Sequence, residues 1–141
     1  MTKSNNPITF KKSFESDPEL LPQIEDFVFK SLIGVALTDK QKNNLSLSIA
    51  EAASNAIIHG NNADIDKLVE VIVKRYSDKV EIIFKDQGEG FDLKDIPDPT
   101  LPENILNDSG RGIYIMRNFL DDVKFNFTPT GTETILTLKL N

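Results

Sequence analysis

LSLSIAEAASNAIIHG, residues 45–60, is the stretch whose reading decides the fold. Nine of the fourteen residues from Leu45 to Ile58 are apolar, so a helix formed here is covered over most of its circumference. Glu51, Asn55 and His59 nevertheless stand at i, i+4 and i+8, on one slowly turning stripe. A carboxylate and a carboxamide inside an apolar run must be satisfied by a buried network, by solvent, or by a ligand. Thr38 and Gln41 have the spacing of a capping box and predict where this helix begins. Gly60 predicts where it stops.

Working outward, Asp17 followed by Pro18 reads as an N-cap and first helical residue. It opens an earlier helix with Leu21, Ile24, Phe27, Val28, Leu32 and Val35 on its apolar face, expected to end near Leu37. Ile8, Phe10 and Phe14 predict a short strand before it. After residue 60, LVEVIVKRY (68–76) and KVEIIFKD (79–86) predict a hairpin around Ser77-Asp78, both segments being rich in β-branched residues. Residues 91–110 carry three prolines and no period, which inside a compact domain indicates a functional loop, here a lid over about 91–111. GIYIMRNFL (112–120) predicts a short helix, and DVKFNF (122–127) with TETILTLKL (132–140) a second hairpin around Pro129-Thr130-Gly131. The expected fold is α+β: a two-layer sandwich with helices packed on one face of a mainly antiparallel sheet, one domain over residues 1–141.

Composition narrows the function. The net charge is −6, and the lysines and arginines are scattered, which argues against a nucleic-acid partner. The absence of cysteine removes disulfides, thiolate metal sites and cysteine nucleophiles. No segment has the ~20 apolar residues that a membrane-crossing helix needs, and the polar start MTKSNNPITF lacks the apolar core of a signal peptide. A cytoplasmic protein without membrane partners is expected.

Chemistry-bearing residues gather at the strand ends. Asp86 shares parity with Val80, Ile82 and Phe84, so it faces the core side at the end of its strand. DQGEG follows at once, and Gly88 and Gly90 let a ligand lie against the backbone. Thr132 shares parity with Leu136, Leu138 and Leu140 and turns a hydroxyl the same way. In SGRGIYIM (109–116), Gly110 and Gly112 precede a helix whose first N–H groups can hold an anion such as phosphate. Together these residues describe a pocket between sheet and helices.

Glu51 and Asn55 as ExxxN, Asp86, Gly88 and Gly90 as DxGxG, Gly110 and Gly112 as GxG, and a closing Gly131-Thr132 resemble, in order, the four boxes of the GHKL (Bergerat-fold) ATPase and kinase superfamily. Within it, SNAIIHG and GIYIMRNFLDDV resemble the bacterial anti-sigma factor serine kinases. The resemblance implies a serine protein kinase that binds a sigma factor and uses Mg-ATP to phosphorylate a STAS-type anti-anti-sigma protein; its relatives tend to be homodimers. It implies that Asp86 accepts from the adenine amine, with Thr132 completing the polar end of the pocket. Asn55 becomes the Mg²⁺ ligand, Glu51 the general base, and Gly90, Ser109, Gly110, Arg111, Gly112 and Ile113 the nucleotide-binding remainder. His59 becomes a helix-end supporting residue. The sequence departs from the family at Asn107-Asp108, where a basic residue is common, leaving Arg111 as the nearby cation. That departure keeps a second reading open: an ATP-binding module that sequesters its sigma factor with little or no phosphotransfer.

Overall fold

The computed structural model describes residues 6–88 and 116–140. The elements run β1 (Ile8–Glu15), a 3₁₀ turn (Pro18–Leu20), α1 (Leu21–Ser31), α2 (Asp39–Ser54), a π turn (Asn55–Gly60), β2 (Leu68–Arg75), β3 (Lys79–Lys85), β4 (Asp122–Thr128) and β5 (Gly131–Lys139). The five strands form one sheet in the order β1-β2-β3-β5-β4, every neighbouring pair antiparallel. The helices pack on one face of this sheet, giving the expected α+β two-layer arrangement.

Alternation in the strands builds the core. Val69, Val71 and Val73 of β2, Val80, Ile82 and Phe84 of β3, and Leu136 and Leu138 of β5 are buried against Ile24 and Val28 of α1 and Leu45, Ile49, Ala52 and Ala53 of α2. The small residues of α2 let the helix lie close to the sheet. Beyond it, Gly60 lies against the Asp86 carboxylate at the end of β3.

Local chemistry sets the element ends. Asp17 caps the first turn by accepting from the Glu19 N–H at 2.9 Å. Thr38 and Gln41 form the full capping box, both bonds 3.0 Å. The β2–β3 turn closes through the Tyr76 N–H on the Lys79 carbonyl at 2.9 Å, as the Ser77-Asp78 reading requires.

Two expectations about the helices are corrected. The first helix ends at Ser31, not near Leu37, because Gly34 adopts a left-handed φ of +91° and the Arg75 guanidinium donates to the Ile33 carbonyl at 3.1 Å. Leu32 is still buried and Val35 still packs on the core, so the apolar periodicity outruns the helix. The second helix is not one α-helix to Gly60: α geometry stops at Ser54 and a π turn continues, with the Asn61 N–H on the Ala56 carbonyl at 2.9 Å. The short helix expected over 112–120 falls within the described residues only at its end, where 116–119 are helical and Met116 is buried. The lid over about 91–111 lies outside the described residues.

Candidate functional site

Asp86 follows β3 directly and is held by β5. Its N–H donates to the Thr132 carbonyl at 3.0 Å, and the Thr132 N–H donates back to Asp86 Oδ1 at 3.1 Å. The Gly88 N–H gives the same Oδ1 a second bond at 2.9 Å. One carboxylate oxygen is therefore engaged by backbone. Oδ2 has no hydrogen bond among the described residues and lies over Gly60, where a Cβ would collide with it. Burial raises the Asp86 pKa above the ordinary carboxylate value, against the lowering pull of the Gly88 and Thr132 N–H groups.

Thr132 is 2% exposed, and its hydroxyl is buried with no hydrogen-bond partner among the described residues. Buried polar side chains are ordinarily paired, and an unpaired one costs about 1–3 kcal/mol. An orphan hydroxyl beside a half-engaged carboxylate is a place built for a polar ligand edge. It offers one donor and one acceptor to whatever enters.

Three glycines make the approach possible. A Cβ at Gly60 would strike the Asp86 carboxylate, one at Gly88 the Gly60 carbonyl, and one at Gly131 the Asp86 carbonyl. The DxGxG reading assigned Gly88 to a ligand's approach; in the structure its missing Cβ makes room for the Gly60 carbonyl. Gly60 and Gly131 were read as a helix stop and a turn residue, and both turn out to border Asp86.

Glu51 ends the α-helical part of the polar stripe and Asn55 begins the π turn; both are half-buried. This turn lies against β5, the strand that carries Thr132. His59 is exposed. A turn bonded i to i+5 advances less per residue around its axis than an α-helix, so the third member of the stripe leaves the line of the first two. Gly90, Ser109, Gly110, Arg111, Gly112 and Ile113 lie outside the described residues.

The spacing rules did not single out Asn61, Ser16 or Gln87. Asn61 is fully buried and bonds to Ser16, to the Leu68 carbonyl and to the Gln87 N–H. In sequence it is the first of two asparagines after a helix-stopping glycine, indistinguishable from an ordinary loop residue.

The carboxylate, the hydroxyl and the close-packed glycines thus gather at the ends of two inner strands, β3 and β5, of a sheet backed by helices. The chain belongs to the histidine kinase-like ATPase domain family, which it matches over residues 14–138. It is 33% identical to the serine-protein kinase RsbW of Bacillus licheniformis, over 70% of this chain and 64% of that one. With the anti-sigma F factor of Bacillus velezensis it shares 39% identity over 66% of each. The chain thus spans just under two thirds of the length of these two relatives. Among solved structures, the RsbU and RsbW domains of Rv1364c from Mycobacterium tuberculosis share the fold at a TM-score of 0.68, over 94% of this chain and 32% of that one, at 13% identity. No helix among the described residues is long and apolar enough to cross a membrane.

Proposed function

We propose that the protein is a cytoplasmic serine kinase that binds Mg-ATP at the Asp86 site, holds a sigma factor and phosphorylates a STAS-type anti-anti-sigma protein on serine, working as a homodimer without contacting nucleic acid. The observation that carries the reading is the pairing of a half-engaged carboxylate, Asp86, with the orphan hydroxyl of Thr132. Adenine presents an exocyclic amine that can donate to Asp86 Oδ2, while guanine presents an oxygen at the same place. Setting that oxygen against a buried carboxylate costs roughly 1–3 kcal/mol, so adenine is favoured about ten- to a hundredfold. Support for the kinase assignment comes from the relatives named as serine-protein kinase and anti-sigma F factor.

The remaining roles follow from residue chemistry. Asn55 carries a half-buried carboxamide whose oxygen suits Mg²⁺, a cation that takes oxygen ligands and keeps several waters. Glu51, one turn earlier, is assigned as the general base that takes the proton from the attacking serine hydroxyl. Gly90, Ser109, Gly110, Arg111, Gly112 and Ile113 are assigned to the phosphates, with Arg111 supplying the positive charge. When bound, Mg-ATP supplies the phosphoryl group and neutralises its charge.

The test uses the purified protein, Mg-ATP labelled in the γ-phosphate, and a candidate STAS protein beside its version with alanine at the acceptor serine. Label on the serine form alone supports the kinase. A protein that binds ATP and the STAS partner yet transfers no label overturns it, and sequestration takes its place, with Asn107-Asp108 as the first suspect.

A further inference from the structure

We propose that Asn61 is a positioning residue that holds the Asp86 loop in its binding geometry and so sets selectivity for adenine; the inference rests on the nucleotide reading above. Asn61 lies just beyond the π turn and is fully buried. Its Oδ1 accepts from the Gln87 N–H at 2.7 Å. Its Nδ2 donates to Ser16 Oγ at 2.9 Å and to the Leu68 carbonyl at 3.2 Å. Ser16, itself buried, donates its hydroxyl to the Lys67 carbonyl at 2.6 Å. One side chain thus ties the end of the helix to the segment after β1, to the start of β2 and to the Asp86 loop.

The bond to Gln87 is the one that matters for the site. That N–H belongs to the Asp86–Gln87 peptide, next to the peptide that carries the Gly88 N–H, so holding the first limits how far the second can swing. The Gly88 N–H is one of the two donors on Asp86 Oδ1. On its other edge the same peptide is confined, because its carbonyl lies where a Cβ of Gly131 would be. Asn61 therefore grips the N–H edge of a peptide whose oxygen edge is already fixed. Gln87 adds a second tie, its Oε1 accepting from the Leu68 N–H at 2.7 Å. Without the Asn61 oxygen, the half-buried Gln87 N–H loses its acceptor in the protein. The peptide gains a reason to turn, which moves Gly88 off Oδ1 and lets the carboxylate rotate.

A residue that only stabilises the fold would, when replaced, weaken ATP and GTP binding alike and loosen the sheet as a whole. A positioning residue loosens one loop and narrows the preference for ATP. Both are measurable, the first without any nucleotide. Backbone amide hydrogen exchange on the ligand-free protein should show Gln87 and Gly88 exchanging at least about tenfold faster in Asn61→Leu, with β2 and β3 core amides unchanged. The ATP-to-GTP affinity ratio of the same variant should shrink by about tenfold. Asn61→Asp keeps an acceptor for the Gln87 N–H and should keep that amide slow, whatever it does to the Ser16 side. Should Asn61→Leu fail to fold, Ser16→Ala cuts one anchor of the carboxamide and carries the same comparison in weaker form. Exchange that quickens evenly through the sheet, or Gln87 and Gly88 amides as slow as in the parent, overturns the assignment. A parent protein that binds neither nucleotide removes the adenine reading, while the exchange pattern still decides whether Asn61 holds the loop.

Discussion

Thr132 donates its N–H to Asp86 Oδ1 at 3.1 Å while its own hydroxyl, fully buried, has no partner among the described residues. The residue that fixes the carboxylate also leaves a donor beside it unspent. Replacing Thr132 by valine, a near-isostere, should therefore move stability and binding in opposite directions. Unfolding of the empty protein should show Thr132→Val as stable as the parent or more so, by up to about 1–3 kcal/mol, since an unsatisfied hydroxyl is removed. ATP titration should show weaker binding. A variant that is both less stable and equally able to bind ATP would mean the hydroxyl has a structural task.

Asp86→Asn should lose ATP affinity by about a hundredfold or more while remaining folded. The Gly88 and Thr132 N–H groups both point at Oδ1 and will keep the amide oxygen there. The NH₂ group is then forced into the Oδ2 position, where it meets the adenine amine donor to donor. Calorimetric titration checks this, with retained affinity removing Asp86 from the site.

The raised pKa of Asp86 makes binding pH-dependent in a stated direction. The adenine amine needs the ionised carboxylate, so affinity should fall as pH drops from neutral through the raised pKa, and binding should release protons in that range. For the empty protein the sign is opposite. A folded-state pKa above the unfolded one gives stability that is full below the unfolded pKa and is lost as pH rises through the folded one. Titrations in buffers of different ionisation enthalpy measure the proton release, and Asp86→Asn should abolish it.

Gly60→Ala tests the close approach between the π turn and the β3 end. Its Cβ would fall on the Asp86 carboxylate, which has to shift to make room. ATP binding should drop at least about tenfold, and more than the thermal stability alone would account for. Unaltered ATP affinity would show that the carboxylate tolerates displacement.

Glu51→Ala should separate capture from chemistry. Loss of a positioned base removes about 10²–10⁴ of the phosphotransfer rate. ATP and partner binding should persist, since neither is assigned to that carboxylate. Label transfer at the parent rate would move the base elsewhere.

The strands, the capping box and the inward turn of Asp86 and Thr132 were all legible in the sequence, because each depends on neighbours within one element. Alternation alone sends Val80, Ile82, Phe84 and Asp86 to one face, and a threonine three residues before a glutamine caps a helix whatever it later packs against. The lid and its glycines were read from sequence as well, and lie outside the residues described.

Only the tertiary structure decided where those elements stop and what stands behind the site. Arg75, 44 residues beyond Ser31, helps end α1 by reaching the carbonyls of Ser31 and Ile33, so no window around the helix could contain the signal. The π turn serves contacts with β5, and Asn61 owes its role to Ser16 and Gln87, 45 and 26 residues away. A loop asparagine becomes a buried hub only when the fold presents it with a hydroxyl and an N–H from two distant segments and a carbonyl from the strand that follows. Periodicity records which face a residue occupies; hydrogen-bond partners across the fold are set by packing, and no local pattern encodes them.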